Sequence, residues 1–453
     1  MRVGADVEQK TPILGSKPFR VTNRRVLAMA IPMTLAYLTT PLLGLVDTAV
    51  VSQFGDAVLL GGLAAGAVVF DVVFAIFDFL YSGTSGLVAQ ACGRGDALEE
   101  RAVFWRTFFV AVISGLVLVL LAPLIAAIGE WFMNAEQPVT TVMGLYIRIR
   151  LMSAPAALTN YAILGYLVGR GNAALGLFLQ LLLNGMNMGI SIFLGLYLGW
   201  GIAGVAWGTV CGEVAAMIAG MTILVGRFRA MPKMSLKHTF NMVALRRMVD
   251  LNSGIMIRSF VLTGAYMLFT RQSAQLGTLT LAANTVLMHF FLVAGYFLAG
   301  FSAAAEQLAG RAIGARDQPA FLRAVRLTAG WAFAFAGLAS VLVFAFGEQM
   351  IGAIIETANV RAEAVFYLPW AAFAVLSGVM GIQMNGVFIG ATWSRDLRNT
   401  MLISFAAFIA ALLAFGQMYG NHGLWAALHI FLLVRGISLL WVMRRRIRSA
   451  FAE

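Results

Sequence analysis

From about Val26 onward, long apolar runs alternate with short polar or glycine-containing breaks. A helix needs about 20 apolar residues to cross a bilayer. Twelve such segments fit, at approximately 26–53, 57–91, 103–129, 138–168, 173–198, 201–226, 246–270, 279–310, 320–347, 362–390, 400–418 and 421–443. The pattern predicts an all-α integral membrane protein with twelve transmembrane helices.

The second half echoes the first. Arg24-Arg25 opens span 1 and Arg246-Arg247 opens span 7, an offset of 222. Leu63-Ala64-Ala65 returns as Leu281-Ala282-Ala283 at 218, and Ala91, Gly93 and Asp96 return as Ala312, Gly314 and Asp317 at 221. Gly165 and Gly169 match Gly386 and Gly390, again at 221. Six spans per repeat is even, so both repeats insert the same way up. Two six-helix lobes related by a pseudo-twofold axis along the membrane normal are expected. The organisation reads as a cytoplasmic tail (1–25), an N-lobe (26–226), a cytoplasmic linker (227–245), a C-lobe (246–443) and a basic cytoplasmic tail (444–453). Gly-x-x-x-Gly pairs at Gly165/Gly169, Gly185/Gly189, Gly204/Gly208, Gly208/Gly212 and Gly386/Gly390 predict close helix packing within each lobe.

The 453 residues are 60% hydrophobic and 11% charged. Soluble domains carry about 25% charged residues, so a polytopic membrane protein is expected. The formal net charge of +12 invites a nucleic-acid reading, but its distribution opposes one. With both termini cytoplasmic, 26 of the 32 Lys and Arg fall on the cytoplasmic side, and Arg271 and Arg361 fall outside. That asymmetry orients membrane helices, as the positive-inside rule describes, and touches anionic lipid headgroups. The first twenty residues lack an apolar h-region, so no cleavable signal peptide is expected. Cys92 and Cys211 read as free thiols, and the four histidines form no metal-binding spacing.

Asp47 stands out because a carboxylate at bilayer depth is costly and persists where a pathway or proton relay uses it. It lies about 21 residues into span 1, roughly 31 Å along the axis, in the outer half. Pro32 and Pro41 precede it and are candidate hinges, since proline removes a backbone donor and can kink a helix. Held away from water, an acid binds its proton more readily. The bland alternative is a structural aspartate bonded between helices.

Other polar residues could complete a pocket: Asn184, Asn187 and Ser191 on span 5, Thr209 and Glu213 on span 6, with Tyr37 and Asn160 nearby. Asp71 and Asp78, seven apart on span 2, are expected on one helix face. They suggest a cation-preferring cavity wall or a second proton site, the bland alternative being ion pairs with Arg148, Arg150 or Arg258. His289 matches Asp71 in the second repeat.

Ile31-Pro32, Leu45-Val46-Asp47-Thr48, Gly83-Thr84-Ser85-Gly86-Leu87-Val88-Ala89-Gln90-Ala91 with Gly95-Asp96, and Asn184-Gly185-Met186-Asn187 resemble the multidrug and toxic compound extrusion (MATE) family. With Leu198-Gly199-Trp200-Gly201-Ile202-Ala203-Gly204-Val205-Ala206, they are similar to its DinF-like branch. The similarity covers nearly the whole chain. It implies an antiporter of the bacterial inner membrane whose span 1 aspartate binds the coupling ion. Carried over by position, Asp47 takes that role, with Asn187 and Thr209 as partners. Related sequences usually place an acid one turn after the span 5 asparagine; here Ser191 stands there, and span 5 holds no acid. That disfavours sodium and favours protons.

The expected protein is therefore a monomeric exporter that needs no cofactor or metal. It would move small organic, cationic or amphiphilic, compounds in exchange for protons by alternating access. Its partners are substrate and membrane lipid, not nucleic acid. A lipid-linked oligosaccharide flippase or an organic-acid exporter of the same superfamily is the alternative, favoured if intramembrane arginines face the cavity. No His-Glu-x-x-His, Gly-x-Ser-x-Gly or Walker loop points to an enzyme.

Overall fold

The computed structural model describes residues 20–134, 136–232, 241–355 and 357–452. The N-terminal tail to residue 19 and residues 233–240 of the expected linker lie outside these. The first lobe comprises α1 (Asn23–Ser52), α2 (Ala57–Ala75), α3 (Asp78–Arg94), α4 (Ala97–Met133), α5 (Gln137–Met152), α6 (Ala154–Arg170), α7 (Ala173–Ile190) and α8 (Gly201–Arg229). The second comprises α9 (Met242–Gln275), α10 (Thr278–Gly314), α11 (Gln318–Ile354), α12 (Ala358–Gly390), α13 (Ser394–Gly416) and α14 (Met418–Ala450). Among the described residues, eleven spans are long and apolar enough to cross a membrane, and the bent pair α5–α6 makes a twelfth.

Local chemistry sets the helix boundaries. The side chains of Thr22, Asp56, Asp96 and Asp317 accept hydrogen bonds from backbone N–H groups in the first turns of α1, α2, α4 and α11. Short polar acceptors at this position satisfy otherwise orphaned donors. Two expected single spans are broken. Span 2 divides at Ile76–Phe77, and span 4 bends by 54° at Ser153, just before Pro155. A proline in the first turn of α6 fits a helix start and cannot continue the ladder from α5. The two-residue break at Ile76–Phe77 separates Asp71, on α2, from Asp78, at the start of α3. Span 5 ends in a π-helical turn, Ser191–Tyr197. By contrast, α1 runs unbroken through Pro32 and Pro41.

The repeat is visible in backbone detail. The left-handed residues Gly95 and Arg316 are 221 apart, as are Gly171 and Thr392. Gly165 and Gly169 pack on the carbonyls of Tyr81 and Ser85; Gly386 and Gly390 pack on those of Ser302 and Glu306, at the same offset. Gly93 and Gly314 themselves meet, and a methyl on Gly93 would sit 2.9 Å from Gly314 Cα. The pseudo-twofold therefore runs between α3 and α10.

The lobes join toward the end that carries both termini. There Trp331 Nε1 donates to Asn23 Oδ1 at 3.2 Å, and Gln90 Nε2 donates to the Gly390 carbonyl at 3.0 Å. Thr34 donates to the Phe297 carbonyl at 3.1 Å. The inter-lobe ion pair Asp78–Arg258, at 3.1 Å, lies deeper, near the middle of the spans. Beyond it, no hydrogen bond among the described residues links the lobes. Asp71 and Tyr296, both exposed, lie within electrostatic reach of each other across that gap. Polar contacts between the lobes among the described residues thus stop at mid-depth, and the space beyond them is the candidate cleft, its mouth away from the termini.

Candidate functional site

Asp47 sits five residues before the end of α1 with 7% of its surface exposed, and its Oδ1 is buried without a hydrogen-bond partner among the described residues. It points into its own lobe, where the Ser191 hydroxyl lies within hydrogen-bonding reach. Ser191 Oγ donates to Asn187 Oδ1 at 2.9 Å, and Asn187 Nδ2 donates to Thr209 Oγ1 at 2.9 Å. All three are buried. The structure thus joins Ser191, Asn187 and Thr209 in one polar chain linking spans 5 and 6, with Asp47 of span 1 beside its Ser191 end.

Glycines on α8 make that chain possible. Gly204 packs on Gly195 of the π turn, Gly208 on Ser191, and Gly212 on Asn187, where a methyl would stand 3.1 Å from Cβ. Only a helix without side chains there lets α8 approach this closely. The pairing expected at Gly185 and Gly189 does not occur, because a methyl at either would meet nothing within 4 Å. The π turn begins at Ser191, the hub of the chain; such turns recur at functional positions.

Arg150 is the second centre. Its guanidinium stacks on Phe70 at 3.9 Å from the ring centroid and pairs with Glu213 at 3.8 Å. Asp47 and Asp71 lie within its electrostatic reach. Glu213 also accepts from the Ser153 hydroxyl, and Asn160 Nδ2 donates to the Glu213 backbone carbonyl at 2.9 Å. Among the expected residues, Asn184, one turn before Asn187, is not bonded into this chain and donates to Thr39 Oγ1 at 2.5 Å. His289 is exposed on α10.

Asp78 has a partner of its own, as the ion-pair alternative expected. It pairs with Arg258, which also donates to Asn385 Oδ1 at 2.6 Å. Tyr37 and Tyr81 share a 2.6 Å hydrogen bond beside this pair. Glu306 joins the same floor, 3% exposed, beside the buried Ser85 hydroxyl, and neither its Oε1 nor Ser85 Oγ has a hydrogen-bond partner among the described residues. Sequence reasoning missed Glu306, although a lone acid in the apolar run of span 8 carries the same signal as Asp47. No group of three or more His, Cys, Asp or Glu among the described residues could hold a metal ion, and both cysteines are free.

A protein-family model described as MatE matches the chain twice, over residues 32–193 and 255–415. The matches begin 223 and end 222 residues apart, in step with the repeat. The chain is 33% identical to the DNA damage-inducible protein F of Escherichia coli (strain K12), over 93% of this chain and 92% of that protein. It is 22% identical to the probable multidrug resistance protein NorM of Rhizobium meliloti (strain 1021), over 95% and 94%. A solved outward-facing conformation of a multidrug resistance MATE family transporter of the MOP superfamily aligns with a TM-score of 0.86 at 19% identity. That alignment covers 95% of this chain and 97% of the other.

Proposed function

The chain belongs to the MatE family, and from that premise we propose that it is a proton-coupled exporter of organic, cationic or amphiphilic compounds, with Asp47 as the coupling acid. It works as a monomer in the bacterial inner membrane with both termini in the cytoplasm. The basic excess near the termini supports that orientation. The cleft then opens outward, and its closed floor separates it from the cytoplasm.

The observation that carries this reading is the buried Asp47 carboxyl of α1 set beside Ser191, the head of a hydrogen-bonded chain that continues through Asn187 to Thr209. Ser191 has one hydroxyl proton and three acceptors around it: Asn187 Oδ1, the Val205 carbonyl at 3.3 Å, and Asp47. An ionised Asp47 recruits that proton and leaves Asn187 short of a donor. A protonated Asp47 donates to Ser191 Oγ instead, and Ser191 keeps its bond to Asn187. Proton binding at Asp47 therefore changes which partners hold α1 against α7 and α8. A two-state element biased by protonation is what coupling requires. Pro32 and Pro41 weaken the α1 backbone ladder, which suits a helix that bends as those partners change.

Arg150 keeps the charge of this site in check. Three acids share one arginine, so loading one proton moves the group toward neutrality. Sodium fits less well: a sodium site needs several oxygen ligands, and Ser191 replaces the acid that would supply one.

The test is export of a fluorescent organic cation from proteoliposomes, driven in turn by imposed proton and sodium gradients. Transport driven by the proton gradient alone is expected. Transport by sodium alone would overturn the coupling assignment.

A further inference from the structure

Arg435 lies inside α14 with 4% of its surface exposed, and its Nε has no hydrogen-bond partner among the described residues. The ionisable groups that act on it are Arg258, of like charge, and Tyr266; no acid is among them. Its stem crosses to α12 at Gly381, where a methyl would sit 3.2 Å from Arg435 Cδ, so the glycine leaves room for the guanidinium. Arg258 in turn is held by Asp78 and Asn385 at the cleft floor, which places Arg435 in the lobe interior beside that floor.

The first lobe treats its intramembrane arginine differently. Arg150 is paired with Glu213 and has Asp47 and Asp71 in reach. The repeat puts Ala371 at the counterpart of Arg150, by the offset of 221 that relates α6 to α12. The left-handed glycines Gly201 and Gly420, 219 apart, put Leu432 at the counterpart of Glu213, and Arg435 one turn beyond it. At comparable depth, then, one lobe holds three acids around an arginine, and the other holds an arginine with no acid.

Arginine does not shed its proton in proteins, and an uncompensated charge inside a membrane protein is costly. Its planar fork of donors matches carboxylate and phosphate oxygens. We propose that Arg435, flanked by Arg258, is a subsite for the anionic group, carboxylate or phosphate, of a transported amphiphile. The cleft would then select anionic and zwitterionic amphiphiles, with any positive end directed toward Asp71 in the first lobe. This rests on the exporter reading and narrows its substrate class.

The test uses the full chain purified in a neutral maltoside detergent, titrated with dodecyl phosphate and separately with dodecyltrimethylammonium, read by tryptophan fluorescence. The wild type is expected to bind dodecyl phosphate. Arg435→Gln is expected to weaken that binding by about ten- to hundred-fold, the range for losing a charged hydrogen-bond partner, and to shift the ratio of phosphate to ammonium affinity. Arg435→Lys, which keeps the charge without the fork, should fall between. Absence of dodecyl phosphate binding to the wild type overturns the proposal even if a variant fails to fold, as does equal binding by wild type and Arg435→Gln. Native mass spectrometry with added phosphatidylglycerol separates a lipid source from a substrate. A phosphatidylglycerol lost on Arg435→Gln yet not displaced by dodecyl phosphate would overturn the substrate assignment. Proton-driven transport by the wild type is measured alongside. Its absence would end the exporter reading while leaving the anion-binding result intact.

Discussion

Ser85 and Glu306 occupy matching positions in the two repeats, 221 residues apart, and their side chains lie next to each other, both buried. Two symmetry mates can touch only on the axis that relates them, so this contact marks the pseudo-twofold at the cleft floor. Around it stand the Asp78–Arg258 ion pair and the Tyr37–Tyr81 hydrogen bond. Polar contacts on an axis between two like lobes can break and re-form as the lobes swing, which a fused apolar core would resist.

Asp78→Asn is expected to loosen the floor. The pair is half exposed at Asp78, so it contributes about 1 kcal/mol and its loss should change the ratio of cleft states by about five-fold. Spin labels at Leu60 and Leu279, exposed at the outer ends of α2 and α10, report the mouth of the cleft. The short-distance population should grow in the variant. An unchanged distance distribution would show that the pair does not hold the floor.

The glycines of α8 and α7 should respond in opposite ways. A side chain at Gly208 would meet Ser191 N at 2.7 Å and Cα at 2.9 Å, so Gly208→Val should displace the π turn. A cost of about 1–3 kcal/mol is expected from such overpacking, together with loss of transport. Gly185→Ala meets open space and should be neutral, or more stable by up to about 1 kcal/mol, in the same thermal unfolding assay in detergent.

Ser191→Asp places a second carboxylate beside Asp47. Proteoliposomes of this variant should transport in response to a sodium gradient, to which the wild type is expected to be silent. If the variant remains silent, the missing acid is not what disfavours sodium.

Asn284 holds the core of the second lobe. Its Nδ2 donates to Ser273 Oγ at 2.8 Å and to Asn421 Oδ1 at 2.7 Å, and its Oδ1 accepts from Trp425 Nε1 at 2.9 Å. Asn284→Leu leaves buried donors unpaired and should cost about 1–3 kcal/mol of stability. A thermal unfolding midpoint equal to the wild type would contradict this.

Much of this was legible in the chain. Apolar runs marked the spans because the bilayer sets their length, and the offset of 221 located the repeat because each half must fold the same way. Asp47 announced itself as a lone charge among apolar neighbours. The breaks at Phe77 and Ser153 were harder to see; Pro155 signalled the second, but no residue in Ile76–Phe77 forces the first. The Asp78–Arg258 pair joins residues 180 apart, and no local pattern encodes such a contact. Arg150 read as one of several possible ion-pair partners. Its position among three acids depends on how α1, α2, α5 and α8 pack together.

Proton-driven transport by Asp47→Asn in proteoliposomes tests the central claim most directly. The variant keeps the side-chain shape and the hydrogen-bonding partners but cannot titrate. It should insert, fold and bind substrate, yet show no transport when a proton gradient is imposed. A variant that exports as fast as the wild type would show that the proton is coupled elsewhere.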